Sequence, residues 1–175
     1  SSASKDVLLY SDADLPFDMM ELRKAYRLMR IYRADIVAVY RHDRTGEGAR
    51  RALYSYVYNF IIRIFFGLLV RDVNFAFKLM RRRIFEHIHL KSEGSFIDAE
   101  LLIRARRLGY RIVQFGTDYF PRTRGVSTLS RSDVIVTIFR EMFSLRKELK
   151  FLRRLPPEVL HLPERKSEEG QSLGL

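Results

Sequence analysis

Val7-Leu8-Leu9-Tyr10-Ser11-Asp12-Ala13-Asp14-Leu15-Pro16 decides how this chain reads: an apolar run passes directly into a short acidic loop, in a sequence that is otherwise basic. Apolar side chains in series, bounded by turn residues, match a buried strand. Asp12 and Asp14 stand one residue apart at its end. Both carboxylates can therefore project from one loop and share a hard divalent cation, with oxygens of a bound phosphate completing the shell. A plainer reading of the same aspartates is a turn leading into a helix, and the residues leave both open.

Working outward, Asp18 with Glu21 three positions later makes a capping box, which starts a helix running to about Arg33. Ile36-Val37-Ala38-Val39-Tyr40 is a second strand. A β-loop-α-β order implies parallel strands with a right-handed crossover. It places the acidic loop at the carboxyl edge of the sheet, where open α/β sheets bind ligands.

Arg41 to Arg51 is a polar loop with Gly46 and Gly48, carrying Arg41, Arg44, Arg50 and Arg51. From Ala52 to Val70 the chain is apolar, interrupted chiefly by Ser55, Asn59 and Arg63, whose spacing of four forms one narrow stripe with Gly67. A membrane span needs about 20 apolar residues, and Arg63 near the middle would cost about 3 kcal/mol on insertion scales. The expectation is a helix lying in a bilayer interface or packed against the domain. Asp72 to Lys78 reads as a strand or hairpin, and Arg81-Arg82-Arg83 as a solvated helix start. Phe96 to Leu108 is a helix bearing Asp98 and Glu100, with Gly109 placed as its left-handed cap, and Arg111 to Phe115 is a further strand.

Tyr119 to Ser127 forms a basic loop. In Asp133 to Arg154, Ile135, Ile138, Phe139, Met142, Leu145, Leu149 and Leu152 recur at helical spacing opposite Arg140, Arg146, Lys147, Lys150, Arg153 and Arg154. That is a basic amphipathic helix, suited to an anionic membrane or to packing on its own chain. After Pro156-Pro157 the tail to Leu175 is expected to be disordered. The division is thus 1–130 as a partial α/β domain, 131–155 as basic amphipathic helix and 156–175 as tail. His42, His87, His89 and His161 have no metal-ligand spacing.

The 175 residues suit one domain, and 47% hydrophobic content fills a core. A net charge of +11 implies phosphate-bearing partners. With Cys 0, disulfides and thiolate metal sites are excluded. The amino end enters a strand almost at once, so the chain is expected to be a fragment.

In order, these pieces resemble the family 2 inverting glycosyltransferases of GT-A fold, most closely the polyprenyl-phosphate sugar transferases of dolichyl-phosphate mannose synthase type. The resemblance runs from about Val7 to Leu149. Asp12-Ala13-Asp14-Leu15 matches the Asp-X-Asp loop, and Arg41 follows a strand where the family's arginine approaches phosphates. Asp72 with Phe77-Lys78 has the spacing of an Asp-X-X-X-Gly-Phe-Arg segment, Ala76 and Lys78 standing for glycine and arginine. Phe96 to Leu102 with Gly109-Tyr110 is similar to the family's Glu-Leu-Leu helix and Gly-Tyr turn, and Arg122 to Ser127 matches Arg-X-X-Gly-X-Ser. Thr128 departs from the lysine of many members. The strands that bind the nucleotide base and ribose have no counterpart, so the fold implied is an incomplete, Rossmann-like GT-A α/β domain with flanking amphipathic helices.

The resemblance implies transfer of a sugar from a nucleotide-diphospho-sugar, of GDP-mannose or UDP-glucose type, to a polyprenyl phosphate with inversion. It implies that Asp12 and Asp14 bind Mg²⁺ or Mn²⁺, and that Asp12, Asp14 and Arg41 serve the donor. Arg50, Arg51, Arg122, Arg124 and Ser127 would bind the acceptor phosphate, with Asp14, Arg122 and Asp72 catalytic. Asp72 and Asp98 would orient arginines or sugar hydroxyls. The expected location is cytoplasmic, peripheral at the inner face of an anionic membrane. Nucleic acid is not an expected partner. The rivals are a family 2 transferase with another acceptor and a non-enzymatic basic module that binds membrane or nucleic acid.

Overall fold

The computed structural model describes residues 5–12, 18–42, 49–118 and 132–160; the side chains of 49–52 and 132–135 lie outside that description. Among the described residues a mixed four-stranded sheet has the order β1-β3-β2-β4. Its strands are β1 (Val7–Ser11), β2 (Ile36–Arg41), β3 (Phe77–Arg81) and β4 (Ile112–Thr117). The helices are α1 (Glu21–Ile31), α2 (Ala49–Phe66), α3 (Ile97–Leu108), α4 (Ser132–Phe151) and the short α5 (Pro157–Leu160). This mixed α/β layering agrees with a partial GT-A fold.

β2 and β4 are parallel neighbours, Ile36 opposite Ile112 through Arg41 opposite Thr117. β1 and β2 point the same way, as expected, but antiparallel β3 lies between them, pairing with both. Burial gives the reason. Phe77 to Met80 are buried without a break, which suits an interior strand, whereas β1 is only half-buried and Tyr10 is exposed. The expectation of a buried first strand is therefore corrected: β1 is a half-buried edge strand among the described residues.

Period-two alternation divides the core into two layers. Val37, Val39, Phe77, Leu79 and Phe115 face α1, whose Ala25 and Met29 are buried with them. Ile36, Ala38 and Met80 face the other way, against Ile62 and Phe66 of α2, Leu102 of α3 and Met142 of α4. The apolar stripe of α4 thus belongs to the core. Ile138, Met142 and Leu149 are buried and Phe139, Leu145 and Leu152 pack against them, so that stripe is not available to a membrane.

At the start of α1, the Asp18 side chain accepts from the Met20 amide at 2.8 Å, while Glu21 faces Lys24 at 3.6 Å, so the reciprocal half of the expected capping box is replaced by an ion pair. α1 stops at Ile31 and Arg33 turns left-handed, with φ 48°. The basic cluster is not simply solvated. Arg82 is exposed at the start of a short 3-10 helix, but Arg83 donates to buried Asp35 at 2.7 Å and Arg81 to the Ala34 carbonyl at 3.0 Å. In the expected tail, Pro157–Leu160 is helical and Leu160 is buried, and 161–175 lies outside the described residues.

Candidate active site

Ser11 pairs with Phe77 and Arg41 with Thr117, so the carboxyl ends of β1, β2 and β4 and the entry into β3 share one edge. Asp12 follows directly and is exposed there. A hard cation commonly takes one or two carboxylates, with phosphate and water completing its shell. Asp12 fits that donor chemistry. Its expected companion Asp14 falls in residues 13–17, outside the described ones, and no group of three or more His, Asp or Glu side chains gathers for a metal among the described residues.

Arg41, the last residue of β2, is bound by Asp72 in the segment between α2 and β3. Its Nε donates to Oδ2 at 2.6 Å and its Nη2 to Oδ1 at 2.7 Å, with the guanidinium 5.4 Å from the centre of the Phe75 ring. The guanidinium expected to meet donor phosphates is thus engaged by a carboxylate. The segment bearing Asp72 is itself held by α2: Asn59 Oδ1 accepts from the Val73 amide at 3.1 Å while its Nδ2 donates to the Ser55 carbonyl at 2.7 Å. From the polar stripe on α2, Asn59 is a brace for this loop.

A second pair lies alongside. Lys78 is 1% exposed, and its Nζ reaches Asp98 Oδ1 at 2.6 Å and the Phe75 carbonyl at 2.9 Å. Tyr10 is its cross-strand partner, with the ammonium 5.3 Å from the ring centre. Burial of the hydroxyl, and then the charges of Asp98 and Asp12, push Tyr10 up to about 12, so it stays protonated near neutrality beside Asp98. Tyr58 is also pushed well above its ordinary value, by burial and then by Asp98. Its hydroxyl faces Asn74, yet neither that oxygen nor Asn74 Oδ1 makes a hydrogen bond of ordinary geometry.

Sequence reasoning did not find Tyr10, Lys78 and Tyr58 as one cluster with Asp98. The register between β1 and β3 brings Tyr10 to Lys78, and α2 and α3 supply Tyr58 and Asp98; no local pattern encodes either. Of the other expected site residues, Arg50 and Arg51 fall in the first turn of α2 with undescribed side chains, and Arg122, Arg124 and Ser127 fall in 119–131, outside the described residues. His42 stacks edge-on with Tyr40, and His87 Nδ1 lies 2.9 Å from the Tyr110 hydroxyl.

Away from the edge, Glu100 joins α3 to α4. It is fully buried and accepts from the Lys91 and Ser92 amides and from Arg104 Nε, while Arg104 Nη2 donates onward to Glu148 at 2.8 Å. This network holds the helix that carries Asp98.

Residues 1–89 match the family described as Glycosyl transferase family 2. The chain is also similar to glycosyltransferase AglD of Haloferax volcanii, with 33% identity over 126 residues, covering 69% of this chain. The match spans 20% of that relative's length. No helix among the described residues is long and apolar enough to cross a membrane.

Proposed function

Because this chain belongs to glycosyl transferase family 2, we propose that its parent protein moves a sugar from a nucleotide-diphospho-sugar to a polyprenyl phosphate with inversion. The observation that carries this reading is the exposed Asp12 at the carboxyl end of β1, beside the two ion pairs Arg41–Asp72 and Lys78–Asp98. When bound, Mg²⁺ or Mn²⁺ held by Asp12 and Asp14 would neutralise charge on the departing nucleotide diphosphate.

An oxygen of the acceptor phosphate, already ionised near neutral pH, attacks the anomeric carbon. The bond from that carbon to the diphosphate oxygen breaks, and the nucleotide diphosphate leaves with the electron pair. Such a nucleophile needs little help from a base, so the work of the protein is positioning and electrostatics. Arg122 and Arg124, with Ser127, Arg50 and Arg51, gather the acceptor phosphate; the planar guanidinium suits bidentate contact with its oxygens. Asp72 keeps Arg41 in place behind the donor, and Tyr10, as a protonated donor, steadies Asp98.

A surface for the lipid acceptor is supported by α2. Leu53, Val57, Phe60 and Ile64 follow helical spacing on one face and are all exposed, with Arg63 beside them. That face suits an anionic bilayer interface. The membrane partner is therefore proposed through α2, not α4.

The test uses the full-length parent. Asp14→Ala is expected to abolish metal-dependent transfer to a polyprenyl phosphate while circular dichroism stays native; retained activity would overturn the metal assignment. Nucleotide-diphosphate binding that strengthens with Mn²⁺ separates the enzyme from a simple basic module. Full transfer to a soluble acceptor in place of the lipid would favour the other family 2 reading.

A further inference from the structure

The ends of α2 and α3 converge on a cavity of about 530 Å³ lined by Arg106, Arg107 and Arg154, with Gly67 and Gly109 in its wall and no carboxylate. It lies where α3 turns into the amino end of β4, whereas Asp12 and Arg41 lie at carboxyl ends of strands. It is separate from the site above.

Its charge is not accounted for by the fold. A helix carboxyl end carries about −0.5 of an elementary charge, so the ends of α2 and α3 together supply about −1. Against this stand three guanidiniums. Arg107 Nη2 caps α2 through the Phe66 carbonyl at 3.4 Å. Arg106 and Arg154 are exposed and make no ion pair among the described residues.

The cavity is also shaped. Gly67 has φ +67°, and a Cβ there would meet nothing within 4 Å, so the space above it is open. Gly109 has φ +100°, and a Cβ would stand 2.8 Å from Arg154 Nε. The missing side chain is what lets Arg154 lie across the end of α3. The segment carrying Arg154 is pinned there by the Leu155 amide, which donates to the Leu108 carbonyl at 2.9 Å.

We infer that Arg106 and Arg154, over the glycine caps of α2 and α3, form a second anion site that takes a dianionic phosphate group. Planar guanidiniums lining one concave surface suit the oxygens of a phosphate ester or diphosphate. The group could arrive free in solution or as a lipid headgroup, and both present the same chemistry.

The experiment follows the Gly67 and Gly109 amides of the ¹⁵N-labelled chain during titration with sodium pyrophosphate at constant ionic strength. Saturable shifts at both amides are expected. R106Q/R154Q should weaken the apparent affinity at least tenfold, while R23Q/R27Q on α1, the same change in charge, should leave it alone. Both variant pairs replace exposed side chains, and dispersed glycine peaks verify folding.

A second arm measures capture on phosphatidylcholine vesicles with and without phosphatidic acid. Capture that needs phosphatidic acid, is lost in R106Q/R154Q and is competed by pyrophosphate assigns the group to a headgroup. Saturable glycine shifts without such capture assign it to a free phosphate. If neither pyrophosphate nor phosphatidic acid gives a response sensitive to R106Q/R154Q, or if R23Q/R27Q is equally damaging, the site does not exist. The proposed transferase activity is unaffected by that outcome.

Discussion

Arg41 and Asp72, 31 residues apart in sequence, close a two-pronged ion pair whose side chains are only 7% and 3% exposed. Asp72 adopts φ 50°, a left-handed conformation that aspartate and asparagine tolerate better than most residues. One carboxylate therefore holds both the end of β2 and the reversal that leads into β3. Asp72→Asn keeps the shape and the backbone tolerance but removes the charge that the Arg41 guanidinium grips. A loss of about 3 kcal/mol or more is expected. Urea unfolding checks it, through a lower midpoint at unchanged slope; a midpoint equal to wild type would show that the pair contributes nothing net.

Asn59→Ala tests the brace from α2. The Val73 amide loses its acceptor and the Ser55 carbonyl an additional side-chain donor, a change costing about 1 kcal/mol. Amide hydrogen exchange at Val73 should quicken while exchange in β2 stays slow. Uniform acceleration would mean that Asn59 supports the whole domain, not this loop.

Acid should loosen the α3–α4 junction. Burial by itself would raise the Glu100 carboxyl, but hydrogen bonds from Ser92, Arg104 and the Lys91 amide outweigh it and hold the group below its ordinary 4.5. The Lys91 hydrogen bond foremost, with help from Arg104, does the same for Glu148. A carboxyl lowered in the folded state contributes stability that is fully present above its unfolded value and is lost as pH falls through the lowered one. Stability measured by urea should hold down to about pH 4.5 and then decline. Glu100→Gln should be weaker at neutral pH and show a shallower acid decline; an unchanged pH profile would remove Glu100 as its source.

Gly67→Ala and Gly109→Ala separate backbone strain from crowding. Both positions are left-handed, costing a residue with a Cβ about 1–2 kcal/mol. At Gly67 the new methyl meets nothing within 4 Å, whereas at Gly109 it meets Arg154 at 2.8 Å and Leu160 at 3.0 Å. Thermal unfolding should therefore show the larger loss for Gly109→Ala. Equal losses would mean that Arg154 and Leu160 swing aside freely.

The sequence by itself determined what depends on near neighbours. The unbroken apolar run Ile36 to Val39 assigns a strand with two apolar faces, and the Gly109 cap ends α3 where the helical pattern stops. Spacing along α4 named the residues that would be buried together. All of these follow from side-chain period and cap chemistry within a few positions. Only the tertiary structure decided what those faces meet. An apolar stripe states that burial is favourable, but hydrophobic attraction has no direction, so the stripe of α4 suits an anionic membrane surface as well as the core residues it meets in the fold. The insertion of β3 between β1 and β2, the pairing of Lys78 with Asp98 beside Tyr10, and the engagement of Arg41 by Asp72 rest on strand register and packing between distant segments. Those pairings are set by long-range geometry, which no short window of sequence contains.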